Sequence, residues 1–313
     1  MSRHRAYPRR PVPRSRRRAA RRGWALAAAA ALAVVFAAAA CGGTAAGRSR
    51  PPTGSPPSQA SQPTDAAPSA GTLRYRYMTD LPDGGVAARY GYNLADLGPD
   101  RSLVDALPDG VRALIWLGDY SHDTCSFTRS DAYVRAAVAG LAGDPKVAGY
   151  YIDDEADDAL PADGGHCPDV LAQVTARSAV VQKLAPGAFT YQVVAEPGNY
   201  RAFAHATDVM GATAFPCLAG RACDWNMIPA RIAALDAAHV AHYWGVLDAF
   251  GEGQWRWPTA AELTRMIGQW QRSRWEGQQT FAWNWRGSEL ASQPTLLDVL
   301  SRFNTGQLRP PPG

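Results

Sequence analysis

The sequence predicts an α/β protein, a (β/α)8 barrel preceded by an export signal and a flexible linker. Two observations support this prediction. From residue 71 onwards, eight short apolar or aromatic runs alternate with longer segments of helical period. The residues before them have a composition that cannot form a hydrophobic core. A doubly wound open sheet is the alternative, but eight strand-and-helix repeats favour a closed barrel.

The first 40 residues read as a signal peptide. Ten arginines and no acid lie within residues 1–22, and an apolar run from Trp24 leads to Cys41. The end of that run, "AAAC", resembles the lipoprotein box of bacteria. This resemblance implies cleavage before Cys41, lipidation of its thiol and attachment to the extracellular face of the cell membrane. A plain signal peptide or a single membrane-spanning anchor is the alternative.

The charge of the chain changes once this leader is removed. The whole chain carries +4 and the leader +10, so residues 41–313 carry −6. A basic surface for nucleic acid is therefore not expected. Residues 41–70, rich in Pro, Ser, Gly and Ala, predict a disordered tether, residues 71–308 the barrel, and residues 309–313 a disordered tail. We expect a monomer.

Eight strands and at least four helices can be placed from the residue pattern. The helix that opens on Ser130 has an apolar stripe of i, i+3, i+4, i+7 spacing, and a capping box of Thr259 and Glu262 opens another. Helices at 168–185 and around 226–238 follow the same alternation. The strands are predicted at 73–78, 89–97, 111–118, 146–153, 188–195, 207–215, 241–250 and 278–285.

Four cysteines in an exported domain indicate disulfides. The short gap between Cys217 and Cys223 suggests that these two pair, which leaves Cys125 for Cys167. A zinc site is the competing interpretation, but the sequence has no CxxC spacing. We expect neither a metal nor a cofactor.

The fourth predicted strand ends in "GYYIDDEADD", which places five carboxylates within six residues. In a barrel of this type the active site lies at the C-terminal ends of the strands. Strict alternation directs Asp153 and Glu155 to the barrel mouth and Asp154 to the other face. A carboxyl crowded by other acids has its pKa raised and can serve as a general acid. A solvated acidic loop or a calcium site is the alternative interpretation.

Other strand ends add polar and aromatic side chains to the same mouth. Carboxylates combined with indole rings are the residue types that sugar chemistry requires, one acid for the leaving oxygen and one carboxylate for the charged centre. The candidate supporting residues are Asp119, Asp153, Asp154, Tyr191, Glu196, Trp257, Trp283, Asn284 and Trp285, and Asp248 ends the seventh strand. Asp153 and Asp119 are expected to set the pKa of Glu155.

The segment "VAGYYIDDEAD" resembles the fourth strand of barrel glycoside hydrolases, and residues 241–285 are similar to their last two strand-and-helix units. The resemblance implies that Glu155 is the acid/base and that Asp248 is the nucleophile or base. Two positions depart from the family pattern, since Asp154 stands where Asn is usual and Asp248 where Glu is usual.

The sequence therefore predicts a cell-surface lipoprotein that hydrolyses a glycosidic bond in a polysaccharide, with a carbohydrate as its partner. Two other functions stay open. The barrel could be a carbohydrate-binding protein without catalysis, or the chain could be the solute-binding lipoprotein of a transporter. A solute-binding protein would need two lobes, which an unbroken eightfold alternation does not provide.

Overall fold

A computed structural model of the chain describes residues 73–81, 83–161 and 165–308. The predicted leader, Cys41, the tether and the tail at 309–313 lie outside these residues. What the sequence predicts for them remains a prediction.

Eight parallel strands form a closed barrel, as the sequence predicts. Each strand pairs with its neighbour in the chain, and the first pairs with the last, with Tyr75 opposite Gly277. The strands are β1 (Tyr75–Met78), β2 (Leu94–Leu97), β3 (Arg112–Trp116), β4 (Val147–Asp154), β5 (Phe189–Val194), β6 (Val209–Thr213), β7 (Tyr243–Asp248) and β8 (Gly277–Phe281).

A helix follows every strand, so the alternation expected from the sequence is confirmed. The helices are α1 (Gly84–Arg89), α2 (Arg101–Asp105), α3 (Asp131–Leu141), α4 (Val170–Leu184), α5 (Tyr200–Phe203), α6 (Met227–Ala237), α7 (Ala260–Trp270) and α8 (Pro294–Asn304). Among the residues that the structure describes, no helix is both long and apolar enough to cross a bilayer.

The helix caps follow the sequence signals. Ser130 accepts a hydrogen bond from the backbone N–H of Tyr133 at the start of α3. Thr259 and Glu262 form the capping box of α7, and Arg256 donates two hydrogen bonds of 2.7 and 2.8 Å to the Glu262 carboxylate. Because the cap and this ion pair share Glu262, they fix the loop after β7 against the start of α7.

The barrel interior is filled with aromatic side chains. Tyr191 stacks on Trp244 with a centroid distance of 4.4 Å, and Tyr151 packs against Tyr191 at 4.8 Å. Tyr77 lies at 6.1 Å from Tyr151. All four rings are at most 1% exposed, so they form a closed floor below the barrel mouth. A second, larger core lies between the strands and the helices.

Both predicted disulfides are present. Cys125 and Cys167 join the loop after β3 to the loop after β4, with a Cα–Cα distance of 5.2 Å. Cys217 and Cys223 close a short ring within the loop after β6 at 4.1 Å. All four cysteines lie in loops at the C-terminal ends of strands, so the two bonds constrain the rim of the mouth.

Candidate active site

A β-bulge near the end of β4 changes which carboxylates face the mouth. Tyr151 is opposite Tyr191 of β5, but Asp153 is opposite Gln192 and Asp154 is opposite Val193. Val193 belongs to the interior cluster, whereas Gln192 bonds to Phe203 on the helix side. The bulge therefore directs Asp154 inward and Asp153 outward. The alternation expected from the sequence is wrong at these two residues.

Asp154 lies at the mouth and rests on the aromatic floor. Its carboxylate accepts a hydrogen bond of 2.8 Å from the Tyr151 hydroxyl. Burial raises the pKa of Asp154 to about 6, with further contributions from the charges of Asp119, Asp80 and Asp96. The Tyr151 hydrogen bond opposes this rise because it stabilises the ionised form. Asp154 is therefore mostly ionised at neutral pH.

Glu155 follows directly and adopts a left-handed backbone conformation, with φ of 59° and ψ of 36°. A non-glycine residue in this region is strained, and such strain is often found at functional sites. The Glu155 carboxylate accepts a hydrogen bond of 3.0 Å from the hydroxyl of Thr213, at the end of β6. The Glu155 side chain therefore extends past the end of β5 to the end of β6.

The pKa of Glu155 is raised to about 8, first by burial and then by the charges of Asp154 and Asp158. At neutral pH this carboxyl carries a proton and can donate it. The sequence assigned this effect to Asp153 and Asp119, but Asp154 and Asp158 act on Glu155 most strongly among its charged neighbours. Asp119 is exposed and acts instead on Asp153 and Asp154.

Asp153 supports the loop after β3 from the outer side of the barrel. It is 1% exposed, and its carboxylate accepts a hydrogen bond from the backbone N–H of Tyr120. Burial raises its pKa well above the ordinary value. Because this carboxyl is enclosed by protein, Asp153 holds the bulge in place rather than contacting a ligand.

Asp157 has a similar anchoring role on the other side of Glu155. Its carboxylate accepts hydrogen bonds of 3.0 Å from the backbone N–H groups of Ala195 and Glu196 and from the Asn199 amide. These bonds tie the turn after β4 to the loop after β5. Glu196 itself is exposed at the rim.

Asp248 lies at the end of β7 but is closed to solvent. It is 0% exposed, and burial raises its pKa to about 8. Besides burial, its pKa responds to the backbone of Cys217 and Phe250 and to the charges of Arg256 and Glu262. Because Asp248 is closed to solvent, the structure does not present the two predicted catalytic carboxyls as an open pair.

Aromatic rings from the last three strands and their loops form one cluster at the mouth. Phe250 lies 5.1 Å from both Phe215 and Phe281, and Trp285 packs against Phe281 at 5.2 Å. Trp255 joins the cluster at 5.4 Å from Phe250. Phe215, Trp255 and Trp285 are only partly buried, so their rings can serve as a platform for an apolar ligand face.

The other predicted aromatic and polar residues lie elsewhere. Trp283 packs beside Tyr90 at 5.9 Å and belongs to the core on the helix side. Trp257 also packs against that core. Asn284 is exposed in a small hairpin of Asn284–Trp285 with Ser288–Glu289. Tyr191 lies in the floor, where its hydroxyl donates a hydrogen bond to Gln279.

Several residues of the site were missed from the sequence. Asp80 follows β1 and Asp96 lies in β2, and the backbone N–H of Asp80 donates a 2.9 Å hydrogen bond to the Asp96 carboxylate. Their positions at strand ends were a usable signal. No sequence signal identified Phe215 or Thr213, because single apolar or hydroxyl residues at a strand end are common in any barrel.

Groups of potential metal ligands in the described part of the chain give no metal site. Both groups of Cys, His or Glu that come close enough contain a disulfide, either Cys125–Cys167 or Cys217–Cys223. A disulfide sulfur carries no thiolate and is not available as a zinc ligand. An open groove of about 920 Å³ between α7 and α8 lies in the helical layer and is not part of the mouth.

No family model matches the sequence, and no curated protein matches it significantly. Solved structures do share its fold. A putative α-L-fucosidase from Bacteroides thetaiotaomicron is 10% identical, with a TM-score of 0.51 over 80% of this chain and 99% of that one. A glucosidase from Croceicoccus marinus is 11% identical, with a TM-score of 0.49 over 75% of this chain and 69% of that one.

A third similar structure is Bacteroides uniformis β-glucuronidase 2, at 11% identity and a TM-score of 0.47. The match covers 68% of this chain but only 31% of the glucuronidase. At such low identity the likeness establishes the fold alone. The chain thus shares its barrel fold with the putative α-L-fucosidase.

Proposed function

We propose that this barrel hydrolyses a glycosidic bond in a polysaccharide, with Glu155 as the proton donor. The observation that carries the proposal is the position of Glu155, which follows β4 and accepts a hydrogen bond from Thr213 at the end of β6 while its pKa lies at about 8. A carboxyl that is protonated at neutral pH can transfer its proton to the leaving oxygen of a sugar. The barrel fold shared with the putative α-L-fucosidase is consistent with an active site at the mouth.

The second carboxylate in this proposal is Asp154 rather than Asp248. Asp154 has a pKa of about 6 and faces the mouth, so it is available as an anion. Asp248, which the sequence favoured, is fully buried. A pair of carboxyls whose pKa values differ in this way supplies the acid and the base that glycoside hydrolysis needs.

A pH profile follows from these two values. Activity should fall above about pH 8, as Glu155 loses its proton, and below about pH 6, as Asp154 gains one. Reducing-end release from a panel of polysaccharides, followed by kcat/KM against pH on the best substrate, measures this. A profile that stays flat between pH 5 and pH 9 would contradict the assignment.

The substitution Glu155→Gln tests the proton donor directly. The amide keeps the volume and the Thr213 hydrogen bond but has no acidic proton, so kcat should drop by about 10²- to 10⁴-fold. The matched control is Glu276→Gln, which removes a carboxylate paired with His242 at the start of β8, on the opposite face of the barrel. Equal activity of both variants would rule out the assignment.

A carbohydrate-binding protein without catalysis is the second candidate. It is favoured by the burial of Asp248, since the strand that carries the nucleophile in the resembled family contributes no open carboxylate here. In that case sugars bind to wild type and to the Glu155→Gln variant with equal affinity, and no reducing ends are released.

We also propose export and lipid anchoring through Cys41, on the basis of the arginine-rich leader and the "AAAC" segment. The substitution Cys41→Ser should leave the protein unprocessed or release it from the membrane fraction. Immunoblots of fractionated cells report both mobility and location. Unchanged processing and unchanged membrane association would contradict the anchor.

A further inference from the structure

The charged residues of the mouth are distributed unevenly between two halves. We define the acidic half as the ends of β1–β5 with the loops that follow them, and the aromatic half as the same regions of β6–β8. Among the described residues the acidic half contains a single arginine or lysine, Arg129. Its thirteen acids are Asp80, Asp83, Asp96, Asp100, Asp119, Asp123, Asp153, Asp154, Glu155, Asp157, Asp158, Asp169 and Glu196.

The aromatic half is nearly balanced in charge. Its described residues include three arginines, Arg221, Arg256 and Arg286. Its acids are Asp224, Asp248, Glu252 and Glu289. A negative potential therefore builds up over one side of the mouth only, because twelve acids remain beside a single arginine even with Glu155 protonated.

The acids of the acidic half act on one another electrostatically. Asp119, Asp80 and Asp96 all raise the pKa of Asp154, and Asp154 in turn raises that of Glu155. Glu155 and Asp154 belong to the same strand end, so the negative potential is strongest beside the proposed proton donor.

A buried hydroxyl beside these acids points independently to a ligand. Tyr77 is 0% exposed, and its hydroxyl has no hydrogen-bond partner among the described residues. The ring packs next to Tyr151, whose own hydroxyl binds Asp154. Tyr77 lies three residues before Asp80 and is opposite Leu94 of β2, which is two residues before Asp96 on the same face of that strand. The charges of Asp96 and Asp80 add to burial in raising the pKa of Tyr77. Buried hydroxyls are normally hydrogen-bonded, so this one marks a position that a bound polar group completes.

We infer that the substrate is a glycan with free amino groups, a polymer of hexosamine that is not N-acetylated. This inference rests on the proposed function and narrows its substrate class. The ammonium groups would lie over the acidic half, and the apolar face of a sugar ring would pack on the partly buried rings of Phe215, Trp255 and Trp285. Uronic acid polymers are excluded by this charge distribution because their carboxylates would be repelled.

Binding to the Glu155→Gln variant separates this inference from catalysis. Isothermal titration calorimetry is performed with the hexamer of glucosamine, the hexamer of N-acetylglucosamine and cellohexaose, at low and at high salt. The glucosamine hexamer should bind at least about tenfold more tightly than either neutral hexamer, and its advantage should shrink as salt rises.

Two variants that each remove one charge test whether the preference for the glucosamine hexamer comes from acids at the mouth. Asp80→Asn and Asp119→Asn, each made in the Glu155→Gln background, should weaken glucosamine-hexamer binding by about threefold or more and leave cellohexaose binding unchanged. Asn tolerates the positive φ of 60° at residue 80, so that variant should fold. The matched control is Asp109→Asn, which removes an exposed acid from the loop before β3, on the opposite face. Thermal unfolding of each variant checks the fold, and the salt dependence tests the inference even if one variant unfolds.

Three results would overturn the inference. If a neutral hexamer binds as tightly as the glucosamine hexamer, the charge argument is wrong while the proposed hydrolysis still stands. If CaCl₂ titrates the protein at micromolar concentration and no amino sugar binds, the acids hold a cation instead. If none of the three sugars binds to a folded protein, both the inference and the proposed function are overturned.

Discussion

The acidic half and the aromatic half of the mouth are built from different kinds of residue, although both stand on the same barrel. In the acidic half, carboxylates are held by hydrogen bonds from the backbone and from tyrosine, as in Asp153, Asp154 and Asp157. In the aromatic half, rings pack edge to face around Phe250, and the carboxylate at the end of barrel strand β7, Asp248, is buried. The comparison suggests that one half provides the chemistry and the other the surface on which a sugar rests.

The largest expected difference between the two halves is in how much each disulfide contributes to the free energy of unfolding. The Cys125–Cys167 bond closes a sequence separation of 42 residues in the acidic half, and loop-closure entropy predicts a contribution of about 4 kcal/mol. The Cys217–Cys223 bond spans only 6 residues, which predicts about 2 kcal/mol. Urea unfolding of the two double Cys→Ser variants measures both losses. A larger loss from the Cys217 and Cys223 variant would contradict the comparison.

Catalysis should depend on the carboxylate of the acidic half and not on that of the aromatic half. Asp154→Asn should lower kcat/KM by about a hundredfold, or about 2.7 kcal/mol, because it removes the ionised partner of Glu155. Asp248→Asn should stay within about threefold of wild type. Steady-state kinetics on the substrate from the polysaccharide screen measures kcat/KM for both variants. A larger loss in Asp248→Asn than in Asp154→Asn would show that Asp248 is the second catalytic group.

Asp248 should instead affect stability, in a manner that depends on pH. Its pKa is about 8 in the folded protein and 3.8 in the unfolded chain, so between these values the folded state holds a proton that the unfolded chain releases. The free energy of unfolding therefore falls as pH rises from about 4 to about 8.

Asp248→Asn removes this dependence. The variant should gain a few kcal/mol relative to wild type at pH 8 and nothing comparable at pH 4. Thermal unfolding at the two pH values measures the difference. A variant that is destabilised equally at both would show that burial of the ionised carboxylate is not costly here.

Within the aromatic half, position decides which tryptophan matters for binding. Trp285 packs in the mouth cluster, so Trp285→Ala should raise the dissociation constant of a sugar by about tenfold, or about 1.4 kcal/mol. Trp283 packs in the core on the helix side and provides the matched control, with a change below about twofold among molecules that remain folded. Equal losses in the two variants would contradict the assignment of the platform.

The sequence was sufficient for the fold because its signals are periodic and repeated. Eight strands and the α3 and α7 caps follow from alternation and from Ser130, Thr259 and Glu262. The disulfides followed from the number and spacing of cysteines in an exported chain. The strand pattern, the caps and the short Cys217–Cys223 gap are local signals, and the Cys125–Cys167 pair was then left by elimination.

The site was predicted less well because its details depend on non-local contacts. One extra residue in the β4 bulge turns Asp154 inward and Asp153 outward, the reverse of what alternation predicts. Alternation alone cannot reveal a bulge. Asp248 is enclosed by the loop that carries Cys217, a segment that lies about thirty residues earlier in the chain. The sequence predicts that Trp257, Trp283 and Trp285 all lie at the mouth. Trp283 and Trp285 are only two residues apart, yet they pack on opposite sides of the barrel wall.

The central claim is that a sugar binds across both halves with its scissile bond at Glu155. A crystal structure of the Glu155→Gln variant with a bound oligosaccharide tests it most directly. We expect the glycosidic oxygen within hydrogen-bond distance of the amide at residue 155, and a sugar ring on Phe215, Trp255 or Trp285. A sugar bound only in the groove between α7 and α8, or one that leaves residue 155 without contact, would contradict the account.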